Sequence, residues 1–274
     1  MLTVDKEKCI GCGLCARDCT RDVISLEEGM AVIGGAPCLK CWHCIAICPQ
    51  KAISSEECRE DEVLEYSRES FAVEPEKLLN LIRFRRSIRL YQKKEVERET
   101  LLRVIEAGRV SPTGCNRQPL RFLILDRELE AIKLLCMEEL KAIAEEAPDS
   151  PAIANDTVRQ RFLHMAEEYR QTGRDRLFFN APLAVVLIAD TTLGGRPLLD
   201  AGIAAANMEL MACTQGLGTC YIGFFTSAVE YGKHVAGRIG LREGEIVAAC
   251  FVTGYPAHSY RRTVGRNPGR IERL

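Results

Sequence analysis

The sequence predicts an α+β protein in two parts, a short cysteine-rich N-terminal domain and a larger domain with a mixed central sheet. Two observations lead to this fold class. Eight of the 14 cysteines lie in two dense groups before residue 49. From Pro75 onward, helical and strand patterns follow one another without the regular alternation of a parallel βαβ fold.

The N-terminal domain, assigned to residues 1–58, is an internal repeat with a period of 29 residues. Shifting the first half onto the second superimposes the apolar pair Val23-Ile24 on Ala52-Ile53. The same shift places the cysteines of the first half on those of the second, which are Cys9, Cys12, Cys15 and Cys19 on Cys38, Cys41, Cys44 and Cys48. Halves this short cannot each bury a core, so we expect them to pack together around their bound groups.

The cysteine spacing predicts two [4Fe–4S] clusters. Each half carries CxxCxxCxxxC, in which three cysteines wrap one corner of a cubane and the fourth ligates the other cluster. One cluster is therefore expected on Cys9, Cys12, Cys15 and Cys48, and the other on Cys38, Cys41, Cys44 and Cys19. Zinc is the alternative, although four-thiolate zinc sites usually consist of two separated CxxC pairs. The segment resembles bacterial two-cluster ferredoxins, with Thr20 in place of the usual proline.

Composition narrows the class of protein. A formal net charge of −1 gives no reason to expect a nucleic-acid partner. No apolar run is long enough for a membrane span, and the first ten residues lack a signal peptide's apolar stretch. We therefore expect a cytoplasmic protein with reduced cysteines. Of the cysteines outside the motifs, Cys213, Cys220 and Cys250 are expected in the core, and no catalytic motif surrounds Cys115.

Residues 59–75 are rich in charged side chains and are interpreted as a linker, with a helix expected around residues 61–66. Residues 76–274 form the larger domain. Apolar periodicity predicts helices at residues 76–85, 99–108, 128–147 and 198–215, and strands at residues 122–125, 184–188, 220–225 and 246–253.

Three stretches of the larger domain have the composition of a ligand site. RRSIR at residues 85–89 is either a solvated helix end or a clamp for a phosphate or flavin, because arginine forks bind phosphate oxygens. Residues 111–119 form a loop by composition. Residues 215–223 contain three glycines that let the backbone approach a flat ligand, but they lack the full dinucleotide-binding motif.

Together these stretches resemble the nitroreductase family of FMN-dependent oxidoreductases. The matching segments are RRSIR at 85–89, SPTGCNRQP at 111–119, GLGTCYIG at 216–223 and GYP at 254–256 before an arginine-rich tail. The resemblance covers roughly residues 76–270. It implies an α+β homodimer with FMN at the subunit interface.

The resemblance also implies which residues contact FMN. Arg85, Ser87 and Arg89 would contact its phosphate, ribityl chain and ring, and Arg86 would contribute its backbone. The other implied contacts are Pro112, Thr113, Gly114 and Asn116 from the second subunit, Ile222 and Gly223 near the reactive edge of the ring, and Arg262 or Arg266 at the phosphate. The family often has tryptophan where Leu120 stands and an acidic residue where Ile222 stands. Both differences bear on substrate preference, and we assign no catalytic side chain.

The two domains together predict an iron–sulfur flavoprotein oxidoreductase. Single electrons would pass from an external donor, a reduced ferredoxin-like protein or NAD(P)H, through the clusters to FMN. FMN would then reduce a small electrophile such as a nitro compound, a quinone or an enone. The alternative is an electron-transfer module that passes electrons from NAD(P)H through FMN to the clusters and a protein partner. A third hypothesis is that the clusters are only structural.

Overall fold

A computed structural model describes residues 1–273 of the chain. Two compact units are present: Met1–Val73 together with Cys115–Arg117, and the rest of the described chain from Glu74 onward. Most of the predicted linker therefore belongs to the first unit. Within residues 1–273, no helix combines the length and apolar character needed to cross a membrane.

The first unit is built from short elements. They are β1 (Leu2–Val4), α1 (Leu14–Asp18), β2 (Ile24–Glu27), β3 (Met30–Ile33), α2 (His43–Ala46), β4 (Ile53–Ser55) and α3 (Arg68–Phe71). The helix expected at residues 61–66 is wrong, because a single 3-10 turn at Glu60–Glu62 is followed by extended backbone. The next helix is α3, whose first turn is capped by Ser67 through a bond from the Ser70 amide to its hydroxyl.

Strand pairing in the first unit joins the two halves of the repeat. β1 pairs antiparallel with β4, and β2 pairs antiparallel with β3. In each pair, one strand comes from the first half and one from the second. The buried apolar core of this unit is small and consists of Cys15, Val23, Ile24, Ala31 and Ile53. A core this small stabilises a domain only marginally, so bound groups must contribute to its stability.

The second unit contains a four-stranded sheet and seven helices among the described residues. Its helices are α4 (Pro75–Phe84), α5 (Arg98–Arg109), α6 (Leu129–Glu146), α7 (Asp156–Thr172), α8 (Pro197–Thr214), α9 (Gly223–Tyr231) and α10 (Val235–Arg238). Its strands are β5 (Leu120–Leu125), β6 (Leu183–Asp190), β7 (Gly218–Tyr221) and β8 (Glu245–Gly254), in the order β5-β6-β8-β7. The strands pair antiparallel, and an isolated parallel bridge joins Ser87 to Thr219. The predicted α+β class is confirmed.

The sheet is covered by helices on both faces. Along β6, Ala184, Val186 and Ile188 pack into the cluster that contains α6 and α9. The alternate residues Leu183, Val185 and Leu187 pack into the cluster that contains α5 and α8. A strand that is buried on both faces has a continuous apolar sequence, and this pattern predicted β6 correctly.

One predicted strand is partly wrong. The expected strand at residues 220–225 ends at Tyr221, and α9 begins at Gly223. Phe225, Ala228 and Val229 are all buried, which is the i, i+3, i+4 spacing of a helix rather than the alternation of a strand. Helix α7 was not predicted, although the Asn155 side chain caps its first turn by accepting a bond from the Val158 amide at 3.0 Å.

The packing of α5 makes a prediction about Gly108. A Cβ atom at this position would lie 2.6 Å from Met208 Sδ and 2.9 Å from Phe122 Cε1. We expect Gly108→Ala to lower the free energy of unfolding by about 1–3 kcal/mol through overpacking. Gly202→Ala is the control, since no atom lies within 4 Å of its added Cβ and helix propensity favours alanine. Denaturant unfolding measures both, and a Gly108→Ala protein as stable as the parent would contradict the packing.

Candidate functional site

Two cavities in the first unit divide the eight motif cysteines between them. One is lined by Cys9, Cys12, Cys15 and Cys48. The other is lined by Cys19, Cys38, Cys41 and Cys44, with Cys15 at its edge. The fourth cysteine of each motif thus lies with the first three of the other motif. The ligand assignment itself stays a prediction.

Backbone amides point at several of these sulfur atoms. The repeat is visible again, because Val23 donates to Cys19 Sγ at 3.4 Å and Ala52 donates to Cys48 Sγ at 3.3 Å. Cys9 and Cys38 each accept a backbone amide as well, from Ala31 at 3.5 Å and from Lys40 at 3.3 Å. Hydrogen bonds to the ligating sulfurs are one of the ways a protein sets the reduction potential of a cluster.

The environment of these cysteines suits a multinuclear cluster. Burial raises the pKa of the Cys15 thiol and raises the pKa of the Cys44 thiol to about 11, so ionisation there requires a nearby cation. Within residues 1–273, no group of three or more His, Cys, Asp or Glu side chains is arranged to hold a single metal ion. A cubane distributes its four thiolates over four irons, so cysteines that line a cavity are the arrangement it needs. The residues present fit the cluster.

In the second unit, the RRSIR segment runs beside β7. Ile88 donates its amide to the Thr219 carbonyl at 2.8 Å, next to the bridge between Ser87 and Thr219. A Cβ atom on Gly218 would lie 2.3 Å from Ile88 Cγ1, so glycine is required for this close approach. A further bridge pairs Tyr91 with Pro256. These contacts fix the basic segment against the sheet edge.

A cavity of about 610 Å³ lies beside this segment. Arg85 and Arg86 line it together with Gly216, Gly218 and residues 255–260. Its volume lies within the range of pockets that hold small ligands and cofactors. His258 belongs to this lining, and the centre of its ring lies 5.2 Å from that of Tyr260.

Arg86 has buried donors without partners. Its Nη1 donates to the carbonyl oxygens of Arg83 at 3.0 Å and Arg85 at 2.6 Å. Its Nε and Nη2 are buried and have no hydrogen-bond partner among residues 1–273. Arg85 and Arg86 both line the cavity, and arginine is a donor type that suits a phosphate. The expected contribution of the Arg86 backbone to FMN binding stays a prediction.

Glu209, on the buried face of α8, orients the same region. Its Oε1 accepts a bond from Arg85 Nη1 at 3.3 Å and one from Thr219 Oγ1 at 3.0 Å. Sequence reasoning missed this residue. The available signal was an acidic residue inside an apolar helical run, since a carboxylate buried in such a run needs a charged partner.

Two residues of the loop at 111–119 are bonded to side chains of α8. Gly114 donates its amide to Asp200 Oδ1 at 3.1 Å, and Asn207 donates to Ser111 Oγ at 2.8 Å. Asp200 is buried and was also missed. Nine residues separate Asp200 from Glu209, which is about 14 Å of helix. Pro112, Thr113, Gly114 and Asn116 do not line the cavity beside Arg86 of the same chain.

The remaining predicted flavin contacts have differing exposure. Ile222 is buried, Gly223 begins α9 and is exposed, and Arg262 and Arg266 are both exposed. Arg89 lies over the Phe179 ring, with its guanidinium carbon 5.7 Å from the ring centre. None of these five residues lines the cavity beside Arg86.

The cysteines outside the motifs differ in burial. Cys220 and Cys250 are buried, as expected for core residues, whereas Cys213 is half-buried and lines the cavity. Burial raises the pKa of the Cys220 thiol, while Arg89 and Ser87 oppose that effect.

Two family models match the chain. The Nitroreductase family model matches residues 82–255, and the 4Fe-4S dicluster domain model matches residues 1–49. The first match spans more than half of the chain, and the chain therefore belongs to the Nitroreductase family. The predicted combination of this family with an N-terminal two-cluster domain is confirmed.

Known relatives cover the second unit. A putative NADH dehydrogenase/NAD(P)H nitroreductase of Archaeoglobus fulgidus is 26% identical over 206 residues, which is 72% of this chain and 98% of that protein. The 4-nitrobenzoate reductase of Pseudomonas putida is 24% identical over 157 residues, or 50% of this chain and 67% of that protein. A crystal structure of a nitroreductase with bound FMN from Bacteroides fragilis has a TM-score of 0.55 at 21% identity, covering 72% of this chain and 98% of that one. This last likeness shows the fold.

The close approach at Gly218 gives a prediction for the cavity. Gly218→Ala must displace Ile88 and with it the backbone that carries Arg85 and Arg86. We expect FMN affinity to fall by about tenfold and the free energy of unfolding to fall by about 1–3 kcal/mol. Gly237→Ala is the control, because no atom lies within 4 Å of its added Cβ. Flavin fluorescence titration measures the affinity, and parent-like binding by Gly218→Ala would contradict the described packing.

The crossed cysteine assignment predicts the behaviour of double variants. Cys12 and Cys48 line one cavity, so Cys12→Ser with Cys48→Ser is expected to retain half of the iron. Cys12→Ser with Cys19→Ser affects both cavities and is expected to remove nearly all of it. Iron and acid-labile sulfide in anaerobically purified protein measure the outcome. The reverse pattern would mean that each motif holds its own cluster.

Proposed function

We propose that the chain is an iron–sulfur flavoprotein oxidoreductase that takes single electrons from an external donor and reduces a small electrophile at its flavin domain. The observation that carries this proposal is the presence, in one chain, of two cysteine-lined cavities and a Nitroreductase-family domain with a cationic cavity. A cluster-binding domain does not by itself require a flavin domain, and a flavin domain does not by itself require a cluster-binding domain. Their fusion gives a one-electron carrier and a flavin enzyme a high effective concentration for each other.

The cofactors are FMN and two [4Fe–4S] clusters, and the chain is an FMN-dependent oxidoreductase. When bound, FMN exchanges one or two electrons and each cluster exchanges one, so together they match a one-electron donor to a two-electron reduction. The protein supplies binding, orientation and exclusion of water.

The residues of the cationic cavity have distinct roles in this proposal. Arg85 binds the FMN phosphate, and Arg86, which lines the same cavity, contributes its backbone. Glu209 holds Arg85 and Thr219, so the basic segment keeps its position beside β7. Ser87 and Arg89 extend the contact along the flavin, and Gly216 and Gly218 leave room for its approach. Arg262 or Arg266 adds a second cation to the phosphate.

A second copy of the chain completes the proposed site. Pro112, Thr113, Gly114 and Asn116 are then supplied by that copy. None of these four residues lines the cavity beside Arg86 of its own chain, which supports their use across an interface. Helix α4 also exposes Leu78, Ile82 and Phe84, the kind of apolar face that a homodimer buries.

The names of two relatives guide the choice of substrate and donor. The Pseudomonas putida protein is a 4-nitrobenzoate reductase, and the Archaeoglobus fulgidus protein is named for NAD(P)H and nitroreductase activity. We therefore propose a nitro compound or a comparable quinone or enone as the substrate. The proposed donor is a reduced ferredoxin-like protein that acts at the cluster domain, or NAD(P)H.

The electron path is tested by removing cluster ligands. Cys12→Ser and Cys41→Ser are expected to slow nitroaromatic reduction by at least about tenfold, or about 1.4 kcal/mol in activation free energy, when a reduced ferredoxin is the donor. The rate with dithionite, which reduces flavin directly, is expected to stay within about twofold. Anaerobic steady-state assays with both donors measure this difference.

Cys58→Ser is the matched control, since Cys58 lies in the same unit and lines neither cavity. Equal rates for all variants with the ferredoxin donor would show that the clusters do not relay electrons. Bleaching of the clusters by NAD(P)H alone, without turnover of nitro compounds, would instead favour the electron-transfer module.

A further inference from the structure

The second cluster motif departs from the repeat at two backbone positions. Gly11 and Gly13 of the first half have φ values of 65° and 71°. Their counterparts 29 residues later are Lys40 and Trp42, with φ values of 53° and 59°. The left-handed conformation is therefore repeated although the glycines are not. Bulky side chains rarely adopt it, and such strain persists where the surroundings or the function require it.

Only one of the two residues that replace these glycines lines the cysteine cavity of the second motif. Trp42 lines the cavity of Cys19, Cys38, Cys41 and Cys44, whereas Lys40 does not. Trp42 is also the single tryptophan of the chain. Leu39 lines the same cavity, and its repeat counterpart Ile10 lines the other one. An aliphatic side chain at this position of the repeat thus lines each cavity, whereas a tryptophan lines only the second cavity.

The first cavity is closed differently at the corresponding place. A Cβ atom on Gly13 would lie 3.1 Å from Leu26 Cδ1, and Leu26 lines that cavity. The repeat counterpart of Leu26 is Ser55, which does not line the second cavity. A leucine beside a glycine in one half is therefore replaced by a serine and a tryptophan in the other. Leu26 thus lines the first cavity and Trp42 lines the second.

We propose that Trp42 is the water-excluding cover of the cluster held by Cys19, Cys38, Cys41 and Cys44. The inference rests on the proposed function, because it needs that cluster to be bound. Water stabilises the more negative, reduced state of a cluster, so excluding water lowers the reduction potential. The cover also hinders the access of water and chelators to the iron. Trp42 lines the cavity from a position with a left-handed backbone.

The test compares variants that keep a side chain at the strained position. In cluster-loaded protein, we expect Trp42→Ala to release half of the iron to a chelator about tenfold faster and to leave the other half at the parent rate. Trp42→Phe keeps an aromatic cover and is expected within about twofold of the parent. Where Trp42→Ala fails to load its second cluster, Trp42→Leu carries the test, with an intermediate release rate expected.

A second measurement uses the tryptophan itself. Because Trp42 lines the cavity, its fluorescence is expected to be strongly quenched when the clusters are reconstituted into the parent protein. Unchanged emission on loading would overturn the inference. So would parent-like iron release by both Trp42→Ala and Trp42→Leu, or equal acceleration of both halves of the iron.

Glu28→Gly is the matched control. Glu28 also has a left-handed backbone, with a φ of 49°, and it lines neither cavity, so parent-like iron release is expected. Acceleration equal to that of Trp42→Ala would identify a general loosening of the domain as the cause and overturn the inference. A parent protein that binds no cubane cluster on reconstitution would overturn the proposed function itself, which is a separate and distinguishable result.

Discussion

The buried carboxylate of Glu209 holds the flavin side of the molecule together. It joins three elements, because it sits on α8 and accepts bonds from Arg85 of the basic segment and Thr219 of β7. A carboxylate buried to this degree is tolerated only when its lone pairs are occupied. These bonds add to the backbone contact between Ile88 and Thr219, which sets the register of the basic segment along β7.

The cluster domain obeys a different constraint, which is the shortage of apolar residues. Six buried apolar residues, the five of the core and Ala52, cannot stabilise a domain of this size by themselves. Five of the eight motif cysteines are at least partly buried, and burial raises the thiol pKa of two of them, Cys15 and Cys44. Metal loading and folding are therefore coupled here, because the ionised thiolates are stable only with iron present. The second unit has two larger apolar clusters, one on each face of its sheet.

Much of this architecture could be predicted from the sequence, and the failures have physical causes. The helices at α4, α5, α6 and α8 were found because their apolar faces keep a helical period. The strand predicted at residues 220–225 was partly wrong because a short apolar run is compatible with either a strand or a buried helix. Glu209 and Asp200 were missed because their partners, Arg85 and Gly114, lie 124 and 86 residues away in sequence. No local pattern reports such a contact.

The pairing of β1 with β4 and of β2 with β3 has a consequence for biosynthesis. Leu2 finds its strand partner at Ser55, so β1 cannot pair until the second half of the repeat has been synthesised. Neither half of the repeat completes a sheet by itself, and neither cavity holds four cysteines from one half. Both cysteine-lined cavities are therefore incomplete until translation has passed through the second motif.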